Sequence, residues 1–159
     1  MEPLNNAAYH EAGHAVAAML LGFEISAIEA LEQRPALIWR PAPNRAEEVC
    51  VVLGAGAAAE EMILNQAADL GGSISDEQEV MKRSCLPFVH FIKEAKKLLS
   101  DHRKPVLKLA KLIDERIDMA GFHPLTAPGA KLTPHAESAT LVTKKELDEF
   151  SQSIETESK

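Results

Sequence analysis

Ala8-Tyr9-His10-Glu11-Ala12-Gly13-His14-Ala15-Val16 is an H-E-x-x-H pattern set inside an apolar run, and the rest of the chain is read outward from it. On a helix, residues four apart share a face, so His10 and His14 can turn both imidazoles toward one ion. Zinc suits two neutral imidazoles and an oxygen ligand, with a further position left for water. Glu11 follows the first histidine and can reach that water, taking its proton during attack on a peptide carbonyl and passing it to the leaving amine. A helical histidine pair is more often solvated or packed than metallated. Here the flanks argue otherwise, because Ala7, Ala8, Ala12, Ala15, Val16, Ala17, Ala18, Met19, Leu20 and Leu21 favour a buried helix. Two histidines and a glutamate are costly there unless something satisfies them, and a metal does.

The 159-residue chain has the size of one domain, and 46% apolar residues suffice for a core. Aromatics make up only 4%, so Ala, Leu, Ile, Val and Met must build it. A net charge of −7 without a basic cluster argues against nucleic acid and against anionic membrane surfaces. Cys50 and Cys85 form no C-x-x-C pair and read as two buried thiols in a reducing cytosol. Glu2 and Pro3 stand where a secretory signal has basic residues, and the apolar stretch Ala15 to Leu21 is too short to span a bilayer. A cytoplasmic protein without membrane insertion is expected.

Asn5 or Asn6 can cap a first helix running from about residue 7 to Leu21, with Gly22 ending it. Residues 25–31 and 36–40 alternate partially and read as a small β-hairpin or sheet closed by Pro41 and Pro43. An edge strand beside a cleft can pair with an extended peptide, and Trp39 can line such a cleft or simply cover the core. A second helix is expected from about Glu47 to Asn65, with Gly54 and Gly56 packed closely against the first. Gly71-Gly72 breaks the chain, and Ser75 with Gln78 matches a capping box opening a third helix. Asp76 then reads as an ordinary acidic residue of a first turn. Pro87 interrupts. Phe88, Phe91, Ile92, Ala95, Leu98 and Leu99 mark a fourth helix, and Val106, Leu109, Ala110, Ile113 and Ile117 a fifth. His90 and His102 have no partner spacing. From His123 onward Pro, Ser and Thr accumulate, so 1–122 reads as the domain and 123–159 as a loosely ordered C-terminal segment. Within that segment Thr143 and Glu146 suggest a capping box and a short helix over 144–150, followed by a disordered end.

Three blocks in order resemble the zinc peptidase domain of the FtsH family, the membrane-anchored AAA+ proteases. Residues 8–15 are similar to that family's metal-binding helix. Gly56-Ala57-Ala58-Ala59-Glu60-Glu61-Met62 is similar to its G-R-x-A-E-E block, with Ala57 in place of Arg. Gly72-Ser73-Ile74-Ser75-Asp76 is similar to its G-A-S-x-D block. The similarity extends over roughly residues 7 to 120. It implies a mainly α (α+β) zinc-metallopeptidase fold with a small sheet. It also implies one zinc held by His10, His14 and Asp76, and Glu11 as general base. Glu60 or Glu61 would at most orient a ligand imidazole. No Walker A sequence or ATPase module accompanies these blocks, so peptides and unfolded proteins are the expected substrates. A separate unfoldase or adaptor, or further copies of the chain, are the expected partners. A non-proteolytic descendant that keeps zinc for stability or binding is the alternative. A metal-dependent repressor-cleaving peptidase fits less well, because the G-x-x-x-D block matches the FtsH pattern better.

Overall fold

The computed structural model describes residues 6–31, 34–65, 73–119 and 138–157. The fold is mainly helical α+β. Among the described residues there are α1 (Asn6–Leu20), β1 (Glu24–Leu31), β2 (Arg34–Arg40), α2 (Ala46–Leu64), α3 (Ile74–Arg83), α4 (Phe88–Leu99), α5 (Arg103–Met119), β3 (Ser138–Val142) and α6 (Lys144–Glu157). The strands form one antiparallel sheet in the order β2-β1-β3. No helix among the described residues is long and apolar enough to cross a membrane.

α1 is buried nearly all round, as its alanine-rich sequence requires. It stops at a Schellman motif. Gly22 takes φ +76°, the Gly22 N–H donates to Met19 O at 3.1 Å, and the Phe23 N–H donates to Ala18 O at 2.9 Å. The chain then turns directly into β1, which pairs with β2 in the expected hairpin, with a register shift between Ile25 and Ala27. α2 lies at the centre and packs on α1, α3 and α4. Small residues permit that packing. A Cβ on Gly13 would meet Ala55 O and lie 2.6 Å from the Ala59 Cβ, so α1 and α2 approach at backbone distance. Gly54 serves a different neighbour from the one expected. A Cβ there would sit 2.8–2.9 Å from the backbone of Phe91 and Ile92 on α4, whereas Gly56 faces α1.

Other expectations are corrected. The third helix starts at Ile74, Ser75 lies exposed inside it, and the box with Gln78 does not form, so Asp76 belongs to the first turn without a capping partner. Cys85 is exposed and only Cys50 is buried. The loosely ordered stretch expected after His123 falls outside the described residues as far as 137. Beyond it the chain is ordered: β3 pairs with the free side of β1, and α6 runs to Glu157 rather than ending near residue 150. Leu141, Val142, Leu147 and Ile154 are buried in the common core. Arg116 of α5 ties this segment down, donating to Leu141 O at 3.0 Å and to Glu146 Oε2 at 2.7 Å. The Thr143–Glu146 capping box forms in both directions, each bond 3.2 Å long. The first-helix cap cannot be assigned to Asn5, which lies outside the described residues; Asn6 is the first helical residue.

Candidate metal centre

His10 and His14 stand one turn apart on the face of α1 that meets α2, and both are buried, at 7% and 6% exposure. Each ring is held from behind. His10 Nδ1 lies 2.7 Å from Glu60 Oε1, and His14 Nδ1 lies 2.7 Å from the Val52 carbonyl oxygen. A carbonyl only accepts, so His14 Nδ1 carries the hydrogen; a carboxylate partner gives His10 the same arrangement. Both Nε2 atoms are left to face forward. They lie 2.9 Å apart. Asp76 Oδ2, from the first turn of α3, lies 3.0 Å from His10 Nε2 and 3.2 Å from His14 Nε2.

Two imidazole lone pairs and a carboxylate oxygen cannot converge at such distances without positive charge among them. A proton answers part of the demand. Burial pushes the His10 imidazolium down, but the Asp76 and Glu60 carboxylates outweigh it and its pKa is pushed up to about 10. Burial likewise opposes the His14 charge, and Asp76 overrides it, raising that pKa too. Burial pushes Asp76 up, yet His14 and His10 hold its carboxyl well below the usual carboxylate range. A divalent cation answers the demand more fully. Its ligands at tetrahedral bonds of about 2.0–2.1 Å would be about 3.3 Å apart, close to the edges of this triangle. The donor set and its spacing therefore fit zinc, with the imidazoles oriented by oxygen acceptors as metal-bound histidines are.

Gly56 makes room for this arrangement. A Cβ there would fall 2.6 Å from His10 Nε2 and Cε1, and 2.7 Å from His14 Nε2. Glu11 lies on the adjacent side of α1, partly exposed, and one ligand atom each of His10, Glu11 and His14 come within 4.8 Å of one another. Glu11 Oε2 accepts the Leu37 backbone N–H at 2.8 Å, which turns its carboxylate toward β2; Asp76 is the carboxylate that touches both histidines.

The two neighbouring acids on α2 separate cleanly. Glu60, 3% exposed, is the one behind His10, whereas Glu61 pairs with Lys96 of α4 and takes no part. Trp39 sits on β2, half-buried, edge-on to Phe23 with ring centroids 5.3 Å apart. Residues that sequence reasoning passed over are Val52, through its carbonyl, and Leu37, through its amide. Backbone groups carry no residue signature that spacing can reveal. Beyond the end of β2 a cavity of about 390 Å³ opens, lined by Pro41, Ala42, Pro43 and Ala46 on one side and Glu79, Lys82 and Arg83 of α3 on the other. The chain matches no protein-family model, and no curated protein matches its sequence.

Proposed function

We propose that this chain is an FtsH-type zinc endopeptidase domain that hydrolyses peptide bonds in peptides or unfolded proteins. The observation that carries the reading is the buried triangle of His10 Nε2, His14 Nε2 and Asp76 Oδ2, with the Glu11 carboxylate beside it. Bound zinc would supply a Lewis acid that polarises the substrate carbonyl and makes water acidic enough to attack at neutral pH. The protein's own groups supply the rest. His10, His14 and Asp76 would hold the ion, and Glu60 and the Val52 carbonyl, which hold the two rings from behind, would keep them aimed at it. Glu11 accepts a proton from the attacking water and delivers it to the departing amine nitrogen, so the C–N bond breaks without releasing an amide anion. β2 is an outer strand of the sheet and, among the described residues, has no backbone partner on its far side. An extended peptide can add there, past Trp39. Folded proteins offer no such strand, so a separate unfoldase or adaptor, or a ring of further copies, would deliver them. Both cysteines are free thiols, which suits the cytosol.

The test is cleavage of unfolded casein by zinc-loaded protein, beside Glu11→Gln. Wild type should cut. The variant should retain zinc and lose about 10²–10⁴-fold in rate, the usual contribution of a positioned proton acceptor. Equal rates in the two proteins would remove Glu11 from the chemistry. Two inert proteins that both hold zinc would favour the non-proteolytic binding module.

A further inference from the structure

In an antiparallel pair, alternate residues turn their backbone N–H and C=O groups toward the partner strand or away from it. Two observations fix this alternation in β2. The Leu37 N–H donates to Glu11 Oε2, so it points away from β1. Pro35, two residues earlier and opposite Ala30, has no N–H to give the ladder. The outward set is therefore Pro35, Leu37 and Trp39, and the chain leaves the sheet at Pro41. Proline removes the donor at 35 and at 41, and Glu11 occupies the one at 37. By the same alternation the Trp39 N–H points outward, beside outward carbonyls at 35, 37 and 39.

We propose that the Leu37 amide is a positioning group for Glu11 and that this edge pairs with an extended peptide through Trp39, one peptide residue exchanging both backbone hydrogen bonds with it. This rests on the peptidase reading above. In the antiparallel sense, the peptide residue two places after the one opposite Trp39 lies opposite Leu37. Its N–H meets the Leu37 carbonyl. Its own carbonyl finds no N–H, because Glu11 holds the Leu37 hydrogen, so it is left available to the buried triangle and its base. The bond to be cut is then the one following that residue. The N-terminal continuation of the peptide runs toward the cavity between Pro41–Pro43 and α3.

Amide hydrogen exchange on the ¹⁵N-labelled full chain, with and without zinc, tests this. The Leu37 amide should exchange at least about 10-fold more slowly than the Trp39 amide. That protection should vanish in Glu11→Ala and survive in Glu11→Gln, whose side-chain carbonyl still accepts. Peptides from a casein digest, added to Glu11→Gln, should slow exchange at Trp39 and leave Leu37 unchanged. Leu37→Pro removes a donor that lies outside the ladder, so it should fold and hold zinc. Its casein kcat should drop by about 10²-fold with KM little changed. Ile38→Pro, which deletes an inward donor, should fail to fold and so controls for strand alternation. Leu37 exchanging as fast as Trp39 in the wild type, or casein peptides slowing Leu37 instead of Trp39, would overturn the proposal. Casein cleavage without protection at Trp39 sinks the pairing and leaves the peptidase reading standing; protection without cleavage does the reverse.

Discussion

A Cβ on Gly56 of α2 would press on both imidazoles at once. In Gly56→Ala the new methyl would lie 2.6 Å from His10 Nε2, so the imidazoles must move. Replacing glycine by alanine within a helix gains about 1 kcal/mol, and overpacking costs about 1–3 kcal/mol, so the net loss of stability should be small. Zinc affinity should nevertheless fall about 10–100-fold, because the aim of both rings is disturbed. Gly54→Ala should behave in the opposite way. Its methyl would strike the backbone of Phe91 and Ile92, which cannot swing aside, so melting temperature should fall while zinc affinity holds. Zinc titration and thermal melting on both variants would check this. An unaltered zinc affinity in Gly56→Ala would mean that the rings are not held as described. The histidines and Glu11 were readable at this scale because the helix repeat itself brings them together. Asp76 was not readable from spacing, since it arrives from another helix, and only the G-S-I-S-D block pointed to it. Glu60 and Glu61 are adjacent and chemically alike. Helix phase separates them: Glu60 lies one turn after Gly56 on the face toward α1, while Glu61 turns to Lys96.

Elements that depend on local periodicity appear where the sequence puts them. The buried α1 helix, the Gly22 stop, the hairpin and the α4 and α5 faces all follow from neighbours within a few residues. β3 does not. Ser138–Val142 is short and finds its partner in β1, more than a hundred residues earlier, which no local pattern announces. The spacing of Leu147, Phe150 and Ile154 did carry the helical stripe of α6, but its polar composition obscured it. Docking of α6 is partly electrostatic and so depends on pH. The Arg116 guanidinium holds the Glu146 carboxyl below its usual range, with the Thr143 amide adding to the effect. The folded pKa is thus lower than the unfolded one. The stabilisation is complete above the unfolded value of about 4.3 and is lost as pH falls through the folded value. The pair is about a third exposed, so its contribution should be under about 1 kcal/mol. Glu146→Gln should melt lower than wild type at neutral pH and converge with it toward pH 3. A difference that grows on acidification would contradict the sign.

The whole molecule is one core shared by both ends of the chain. Removing residues 138–159 would take Leu141, Val142, Leu147 and Ile154 out of that core and bare the second edge of β1. Each buried aliphatic side chain is worth about 1.5–3 kcal/mol, and a whole domain is stable by only about 5–15 kcal/mol. The truncated chain should therefore lose its cooperative melting transition, and a sharp transition near that of the full chain would contradict this packing. β3 stands at the opposite edge of the sheet from β2. The sequence suggested a loosely ordered segment outside the domain, because proline-rich composition between 123 and 134 masks the order beyond it. The central claim, that His10, His14 and Asp76 form one zinc site, is tested most directly by counting zinc on the dialysed, zinc-loaded protein beside Asp76→Asn and His14→Ala. One zinc per wild-type chain is expected, with a melting temperature that rises on loading, as selective binding to the folded state requires. His14→Ala should hold none, and Asp76→Asn should bind more weakly. Wild type that retains no zinc and melts unchanged in its presence would contradict the claim.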